Sequence, residues 1–418
     1  MKSFLLECID CGNHMVPTEA DYLCPECAKS RAPMQPLPGL LRCIYDYATV
    51  KKTHKAGKFP DNDYAGLARW HALLPLRSPD SIPSLIVNTT PLRPAERLRA
   101  ETGLGKLWLK DDTVSPTASF KDRASALVIA VARELGKKVV ATASTGNAAT
   151  ALAGYGAASG METVILVPAT APRAKLAQIA IFGARLIPVD ANYDACFELS
   201  ISACEEFGWY NRNTAFNPFT VEGKKTAALE IWEQLGYSAP DWVIVPTGDG
   251  VIAAGIEGGF RDLLEMKLID RMPRLAIVQA SGCAPIVRAF EKKTREITPE
   301  ANPDTFADSI SVGVPRAGRW VMGALERTKG VAVAVEDAQI LDAIGLLGRT
   351  AGVFAEPAAA ASIAGLCRLV SMGTIKSDDT VVALITGSGL KDVPAAMRAF
   401  EMPKAISPNL EAIKAAVR

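Results

Sequence analysis

Short apolar runs alternate with longer segments of helical character along most of the chain. The runs that predict strands lie at 107–110, 139–143, 163–167, 184–189, 242–246, 275–278, 332–335 and 381–385. The segments between them predict helices, among them helices that end near 132, 159, 182, 207, 235 and 266. Uninterrupted apolar strands separated by helices are typical of a parallel sheet whose two faces are both covered by helices. The pattern therefore predicts an α/β fold.

The regular alternation of predicted strands and helices does not extend over the whole chain. It is preceded by a cysteine-containing segment and a Lys- and Gly-containing linker at 51–62, and a polar stretch at 217–226 interrupts it. A chain of 418 residues is long enough for several domains with separate cores. We predict a ribbon at 1–47, a large domain at 48–135 and 211–418, and a small α/β domain at 136–210.

Composition excludes several classes of protein. Hydrophobic residues make up 49% of the chain and charged residues 22%, as in globular proteins. The formal net charge of +1 argues against nucleic-acid partners and anionic membrane surfaces. No apolar run is long enough to span a bilayer, and Glu7 and Asp10 interrupt the apolar start too early for an export signal. We expect a cytoplasmic protein that contacts neither nucleic acid nor membrane.

The nine cysteines divide into two groups. Two CxxC pairs, Cys8 with Cys11 and Cys24 with Cys27, supply four thiolates at a spacing that fits a small zinc ribbon. Such a zinc would be structural, since four cysteine ligands leave no open position for catalysis. The alternative is a set of metal-free or redox thiols. The remaining cysteines lie in apolar contexts and are predicted to be core residues: Cys43, Cys196, Cys204, Cys283 and Cys367.

A single lysine stands at the start of the helix that follows residue 120. The polar segment 115–120, here called the lysine loop, leads through Lys121 into the apolar run 124–132. The positive potential of a helix N-terminus and partial burial are both expected to lower the pKa of this lysine. A lysine with a lowered pKa can form a Schiff base. The simpler interpretation is a solvated lysine in the first helical turn.

Three predicted strands end in turns rich in glycine and hydroxyl groups: STGN at 144–147, TGDG at 247–250 and TGSG at 386–389. Ligands of open α/β sheets bind at the carboxyl ends of the strands. The TGDG turn enters a helix directly, so its backbone N–H groups can converge on a phosphate. One such turn would also fit a tight strand–helix connection. Three turns together with a reactive lysine indicate pyridoxal phosphate, which needs both a lysine and a phosphate site.

The histidines support the same interpretation. The chain has only His14, His54 and His71, all N-terminal to the predicted sheet. Proton transfer in the main domain must therefore use another group, and Lys121 can act as the general base. The TGSG turn carries no acidic residue, so a hydroxyl at Thr386 would leave a pyridine nitrogen largely unprotonated. That state favours elimination and replacement over transamination.

Several stretches of the chain resemble the threonine synthase family of fold-type II pyridoxal-phosphate enzymes. They are PTASFKDR (116–123), STGN (144–147), NPFTVEGKKT (217–226), TGDG (247–250), VQASGCAPIV (278–287), FAEPAAAA (354–361) and ITGSGLKD (385–392). The N-terminal cysteines and IYDY (44–47) are similar to the zinc-ribbon start of some archaeal and plant-type members. The resemblance covers almost the whole chain. It implies a tryptophan synthase β-like fold with two doubly wound parallel-sheet domains and a small N-terminal zinc ribbon.

The resemblance implies a set of cofactor-binding residues: Lys121, Phe120, Asn147, Gly248, Asp249, Gly250, Val251 and Thr386. Lys121 is implied to be the Schiff-base lysine and the acid–base group, with Phe120 against the ring region. Asn147 is implied to hydrogen-bond the cofactor's 3′-hydroxyl group. The backbone at 248–251 is implied to bind the cofactor phosphate.

Further roles follow from the same resemblance. Thr386 is implied to meet the pyridine nitrogen, with Ser388 as the second choice. Ser144, Thr145 and the backbone after them are implied to hold the substrate carboxylate.

Three positions depart from the pattern of the family. Ala118 replaces a glycine, Thr220 stands where an arginine often binds the substrate phosphate, and Val314 stands where an asparagine is frequent. Five cations could replace the missing arginine: Lys110, Lys224, Lys225, Arg316 and Arg319. We expect Lys224 to supply the charge, because it lies one helical turn after Thr220 and shares its helix face.

The expected function is that of a pyridoxal-phosphate lyase of threonine biosynthesis, in a homodimer. It would convert O-phospho-L-homoserine and water into L-threonine and phosphate. The alternative is a related enzyme that carries out β-replacement or β-elimination, such as a cysteate synthase using O-phosphoserine and sulfite, or a serine/threonine dehydratase. A regulatory protein with an inactive cofactor site is a third possibility, against which the intact Lys121 and turns argue.

Overall fold

The computed structural model of the chain describes residues 4–18, 21–52, 59–60, 62–85, 87–171 and 173–417. Parts of the expected linker (53–58 and 61), His54 and Pro172 lie outside these residues. No helix in the described segments is long and apolar enough to cross a membrane.

The largest sheet has six strands in the described part of the chain. In spatial order they are β12 (Val331–Val335), β11 (Arg274–Ala280), β10 (Trp242–Pro246), β13 (Thr380–Ile385), β5 (Lys106–Asp111) and β4 (Leu92–Pro94). All neighbouring pairs are parallel except β4 with β5. Every residue of β10 is buried, because helices cover both faces of the sheet. The predicted strands are confirmed, and the antiparallel edge strand β4 is an addition.

A second sheet is formed by four parallel strands of the described chain. Its spatial order is β8 (Arg185–Val189), β7 (Glu162–Pro168), β6 (Val139–Ala143) and β9 (Tyr210–Asn211). Strand β9 has two residues and was not predicted, because so short a segment carries no periodic signal. The α/β fold with two parallel-sheet units is confirmed; the exact domain boundaries stay a prediction.

The N-terminal segment forms a small antiparallel sheet in the order β2 (His14–Met15), β1 (Phe4–Cys8) and β3 (Leu41–Tyr45). Cys8 is the last residue of β1, and Cys11 lies between β1 and β2. Cys24 precedes a short helix, α1 (Pro25–Ala28), which contains Cys27.

The remaining helices of the described chain are α2 (Tyr47–Lys52), α3 (Gly66–Arg69), α4 (Glu96–Thr102), α5 (Lys121–Glu134), α6 (Asn147–Ser159), α7 (Arg173–Ile181), α8 (Tyr193–Phe207), α9 (Phe219–Gln234), α10 (Val251–Glu265), α11 (Pro285–Glu291), α12 (Gly318–Thr328), α13 (Asp337–Ala351), α14 (Pro357–Ser371), α15 (Val393–Ala396) and α16 (Leu410–Ala416).

Helices α5, α9 and α10 pack side by side, and glycines allow their close approach. A Cβ at Gly255 of α10 would lie 2.7 Å from Cβ of Lys224 on α9. This contact holds Lys224 next to the N-terminal half of α10.

Candidate active site

The lysine loop is fixed against the TGSG turn. Phe120 N donates a hydrogen bond to the Thr386 carbonyl at 2.9 Å, and Ser388 N donates to the Ala118 carbonyl at 3.0 Å. The Asp122 carboxylate accepts a bond from Thr117 N at 2.7 Å, which closes the loop. Ala118 has a φ of +63°. A glycine would adopt this left-handed conformation without strain, so the replacement noted in the sequence has a structural cost.

The TGDG turn forms the N-terminus of α10 at the carboxyl end of β10. Gly250, the residue before the helix, has a φ of +93°, and a Cβ there would lie 2.7 Å from the Val321 side chain. Only glycine meets both conditions without strain. The turn therefore leaves the first backbone N–H groups of a 15-residue helix pointing out of its N-terminus, an arrangement that attracts anions.

One cavity collects nearly all of the predicted site residues. Among those that line it are Lys121, Ser144, Thr145, Asn147, Lys224, Gly248, Asp249, Gly250, Val251 and Thr386. Phe120 is fully buried and lies outside the lining; the Arg123 guanidinium stacks on its ring at 5.3 Å from the centroid. Ser388 also lies outside the lining. The cavity further contains residues that the sequence did not single out, notably Arg212 and Tyr193.

The electrostatic environment of Lys121 lowers its pKa. Burial is the largest cause, Arg212 acts in the same direction, and Glu356 is the strongest of the acids that oppose the shift. The expected direction of the shift is confirmed, and burial accounts for most of it. A lowered pKa makes the neutral, nucleophilic amine more accessible.

Glu356 is a buried acid that connects Lys121 with Asn147. Its carboxylate accepts hydrogen bonds from Asn147 Nδ2 at 3.0 and 2.9 Å. Burial raises the pKa of Glu356, and Lys121 counteracts the rise. The residue directly precedes Pro357, the first residue of α14. An acidic residue followed by proline indicates the start of a helix in the sequence. The pattern does not indicate which residues the acid contacts.

Asp249 of the TGDG turn is held by the chain that follows β11. Its Oδ1 accepts a hydrogen bond from Arg316 N at 2.6 Å, and its carbonyl accepts one from Ala317 N at 2.9 Å. Oδ2 is buried without a hydrogen-bond partner among the described residues. Burial raises the pKa of this carboxyl group to about 6.

Most of the cations proposed as replacements for the missing arginine are engaged elsewhere. Lys110 pairs with Glu230 at 2.6 Å, and Lys225 pairs with Asp262 at 2.7 Å. Arg316 pairs with Asp194 at 2.9 Å, and Arg319 with Asp10 at 3.1 Å. None of these four lines the cavity. Lys224 is the member of the proposed set that does, and it forms no ion pair with any residue that the structure describes.

Arg316 joins three parts of the molecule. Its guanidinium donates to the Gln35 carbonyl at 3.1 Å and to Asp194 of α8, while its own carbonyl accepts from Leu37 N at 3.1 Å. Its backbone N–H holds Asp249, as described above. The segment after α1, helix α8 and the TGDG turn therefore meet at one side chain.

The four N-terminal cysteines form a compact cluster. Their sulfur atoms all lie within 4.8 Å of one another, with Cys8 and Cys27 at 3.7 Å and Cys11 and Cys24 at 3.8 Å. Tetrahedral zinc with bonds of about 2.3 Å places its sulfur ligands roughly 3.8 Å apart. The geometry of the cluster thus fits a four-coordinate metal.

The cavity also fits the cofactor that the sequence indicates. A lysine with a lowered pKa, a helix N-terminus and unpartnered polar atoms on Asp249 and Arg212 all belong to the same site. Pyridoxal phosphate needs a lysine for its aldehyde and a donor-rich turn for its phosphate. The residues present supply both.

Comparisons with known proteins agree with this chemistry. The family model for pyridoxal-phosphate dependent enzymes matches residues 83–387, well over half of the chain. The threonine synthase of Methanocaldococcus jannaschii is 38% identical over 411 residues, which cover 98% of each chain. The threonine synthase of Methanosarcina acetivorans is 36% identical over 414 residues, which cover 99% of this chain and 98% of the relative.

Solved structures confirm the fold. Threonine deaminase isoform 2 from Solanum lycopersicum superposes with a TM-score of 0.65 at 22% identity, covering 83% of this chain and 97% of the other. Maize serine racemase has a TM-score of 0.65 at 22% identity, covering 74% and 92%. At these identities the likeness concerns architecture alone.

Proposed function

The chain belongs to the family of pyridoxal-phosphate-dependent enzymes, and from this premise we propose that it converts O-phospho-L-homoserine and water into L-threonine and phosphate. The full-length similarity to threonine synthases carries the proposal. The cavity supports it, since a candidate covalent lysine, a phosphate-binding turn and an unpaired cation lie together. The enzyme is accordingly a lyase that acts on the carbon–oxygen bond to phosphate.

The residues around the cavity would hold the cofactor in defined roles. The backbone at 248–251 would bind its phosphate at the N-terminus of α10, and Lys121 would be the residue that holds its aldehyde carbon. Asn147, whose amide is held by Glu356, would bind the 3′-hydroxyl, and Thr386 would contact the ring nitrogen. Pyridoxal phosphate, when bound, supplies an electron sink for negative charge on substrate carbons.

The chain's own groups then bind substrate and move protons. Ser144, Thr145 and the following backbone hold the carboxylate, and Lys224 faces the phosphate group. The Lys121 amine takes the proton from the substrate α-carbon and returns protons later in the cycle. The net change is loss of phosphate from Cγ and addition of water at Cβ. Partial enclosure of the site limits competing hydrolysis.

The proposal for the cofactor is tested by chemical trapping. We expect visible absorption from the holoenzyme and, after borohydride reduction, a cofactor label that peptide mapping places on Lys121. Lys121→Ala should lose the label and the activity. Lys391→Ala is the matched control, because Lys391 borders the neighbouring cavity but donates to Gln178 at 2.7 Å. A label on any other lysine would contradict the assignment.

The substrate is tested by phosphate release. Purified enzyme should release phosphate and form threonine from O-phosphohomoserine. The alternative, β-replacement or elimination by a related enzyme, draws support from Thr220 and Val314 at positions where threonine synthases often carry arginine and asparagine. Assays with O-phosphoserine plus sulfite, with serine and with threonine separate the two. Turnover of one of these without phosphate release from O-phosphohomoserine would favour the alternative.

We also propose that the cysteine cluster binds one structural zinc ion. The sulfur–sulfur distances support this proposal, and four cysteine ligands would fill a tetrahedral site, which makes the ion structural. Elemental analysis of reduced protein should find about one zinc per chain. Cys8→Ser with Cys24→Ser should lose it and lower stability far more than turnover, whereas Cys367→Ser should retain it. Metal-free wild-type protein would contradict the proposal.

We further propose a homodimer. The C-terminal segment carries the exposed apolar side chains Met402 and Ile406, followed by Leu410, Ile413 and Val417 at helical spacing along α16 and its C-cap. Exposed apolar side chains gathered in one segment are more typical of an interface than of a monomer surface. Light scattering after size exclusion should give twice the mass of the chain. A monomer at micromolar concentration would contradict the proposal.

A further inference from the structure

The cavity contains an arginine, Arg212, that forms no ion pair with an acidic side chain among the described residues. Arg212 follows β9 and is only 1% exposed. Neither Nη1 nor Nη2 has a hydrogen-bond partner among the residues that the structure describes, and Nε lies 3.3 Å from Ser125 Oγ. Burial lowers the pKa of Arg212 to about 10, so the guanidinium remains charged at neutral pH. An unpartnered charged group in such a position is costly unless a ligand completes it.

Lys224 is a second cation in the same surroundings. It is 2% exposed and lines the cavity together with Arg212. Burial lowers its pKa, and Arg212 and Lys121 lower it further. Within the described parts of the chain no carboxylate forms an ion pair with it. The charges of Arg212 and Lys224 would therefore repel each other, and neither residue forms an ion pair with a carboxylate in the described structure.

Asp249 is the carboxylate that acts on both residues, after the Tyr193 hydroxyl in the case of Arg212, and it forms an ion pair with neither. Its Oδ1 is bonded to Arg316 N, and no ion pair within 4 Å joins it to Arg212 or Lys224 in the described structure. The carboxylate belongs to the TGDG turn, where the cofactor phosphate is expected. Asp249 therefore reduces the excess of positive charge in the cavity without removing it.

Thr220, in contrast, is not available to a ligand. It is fully buried, its hydroxyl donates to the Asn217 carbonyl at 2.7 Å, and it accepts from Ala215 N at 3.2 Å. These bonds tighten the start of α9. The position where related enzymes often carry an arginine thus serves local structure here, and the basic side chains that line the cavity besides Lys121 are Arg212 and Lys224.

We propose that Arg212 and Lys224 together bind the phosphate group of the amino-acid substrate, with Arg212 as the residue that makes the subsite selective for phosphate monoesters. A guanidinium offers two parallel donors to phosphate oxygens, and lysine adds a point charge. A phosphate monoester carries nearly two negative charges, and its presence would favour the charged forms of both Arg212 and Lys224. The inference rests on the proposed function, and it applies to O-phosphohomoserine and O-phosphoserine alike.

The two phosphate groups are assigned to residues on different elements of the fold. The cofactor phosphate is assigned to backbone donors at the start of α10, which follows β10 of the six-stranded sheet. Arg212 follows β9 of the four-stranded sheet, and Lys224 lies on α9. The two phosphates would thus be held by different elements around one cavity.

The test compares two ligands on holoenzyme. The first is a phosphonate isostere of O-phosphohomoserine, in which a methylene replaces the ester oxygen so that no phosphate can leave. The second is L-threonine, which has the same amino and carboxylate groups but no phosphate. Dissociation constants are measured calorimetrically for wild-type, Arg212→Gln, Arg212→Lys and the control Arg319→Gln, whose side chain pairs with Asp10 away from the cavity.

We expect Arg212→Gln to weaken phosphonate binding by roughly ten- to a hundredfold while leaving threonine binding within about twofold. Arg212→Lys should lose roughly tenfold, because charge remains but the planar fork is lost. Arg319→Gln should match wild-type with both ligands. Unchanged phosphonate binding in Arg212→Gln, equal weakening of both ligands, or failure of wild-type to bind the phosphonate would each overturn the proposal. If Arg212→Gln does not fold, the same criteria apply to Arg212→Lys.

Phosphate release from O-phosphohomoserine, measured separately, distinguishes this inference from the proposed function. Wild-type enzyme that binds the phosphonate through Arg212 but releases no phosphate would contradict the function and leave the subsite in place. Phosphate release together with unchanged binding by Arg212→Gln would retain the function and remove the subsite.

Discussion

Two groups of buried basic residues involve side chains of helix α9, Glu230 in the first and Lys224 in the second, and they differ in how their charge is balanced. In the first, Arg123 forms two parallel bonds with Glu230 at 2.7 and 2.8 Å and a third with Asp112 at 2.7 Å. In the second, Arg212 and Lys224 have no acidic partner within contact distance among the described residues. Both groups are almost fully excluded from solvent.

The difference separates structural charge from ligand-binding charge. Although burial acts to raise the pKa of Glu230, Arg123 and Lys110 lower it to about 2, so the first group is a satisfied network. Removal of one member would leave the others buried and unpaired. In the second group, the partner of the basic side chains would be a bound ligand. Removal of one of these side chains should therefore affect ligand binding more than folding.

The largest expected effect comes from breaking the satisfied network. Arg123→Met should lower the free energy of unfolding by about 3–5 kcal/mol, because Glu230 and Asp112 would remain buried without their partner. Arg212→Gln, the matched change in the other group, should alter it by at most about 1 kcal/mol. Urea unfolding of both holoenzymes measures the difference. Equal losses of stability would show that the two groups do not differ in kind.

A second effect concerns pH. The pKa of Glu230 falls from 4.5 to about 2 in the folded protein, so its stabilising contribution is present above pH 4.5 and is lost as pH falls towards 2. The contribution is on the order of 3 kcal/mol. The stability difference between wild-type and Glu230→Gln should therefore shrink between about pH 5 and pH 2. A difference independent of pH across this window would contradict the paired state of Glu230.

The smallest expected free-energy change comes from a comparison of two adjacent lysines, Lys224 and Lys225. Lys224→Ala should raise KM for the phosphorylated substrate by roughly ten- to a hundredfold, equivalent to about 1.5–3 kcal/mol, with the absorption of the bound cofactor unchanged. Lys225→Ala should leave this KM unchanged and lower stability instead, since Lys225 pairs with Glu222 at 2.5 Å and Asp262 at 2.7 Å. Steady-state kinetics and urea unfolding on both variants separate the two roles. Similar KM values for Lys224→Ala and wild-type would remove Lys224 from the site.

The sequence predicted the strands of both parallel sheets except the edge strands β4 and β9, and it identified most of the residues that line the candidate site. Strands such as β10 and β13 are apolar throughout, and each ends in a glycine-rich turn, so local sequence determines where they lie. Helices α13 and α14 were not predicted, although Glu356 and Pro357 mark the start of α14. In α14 every residue from Pro357 to Leu366 is buried, so its apolar positions show no clear helical period, whereas α13 buries Ile340, Ala343, Ile344 and Leu347 at a helical spacing that the sequence does carry.

The pairing of buried charges could not be predicted. Arg123 and Glu230 are 107 positions apart, and nothing near either residue indicates the contact. Lys224 and Lys225 are adjacent, yet successive helical residues point about 100° apart, so that one faces acids and the other the cavity. Arg212 follows a strand of two residues and carries no motif. Whether a cation is structural or ligand-binding depends on these distant contacts.

The position of Arg316 would link the proposed metal site to the proposed cofactor site. Its side chain and carbonyl hold the segment at 35–37 that follows the cysteine cluster, and its backbone N–H holds Asp249 in the TGDG turn. Coupling between two binding equilibria is reciprocal. Any factor by which bound metal would strengthen cofactor binding through Arg316 must equal the factor by which bound cofactor would strengthen metal binding. With such a favourable coupling, a chelator would remove metal less readily from the holoenzyme than from the apoenzyme.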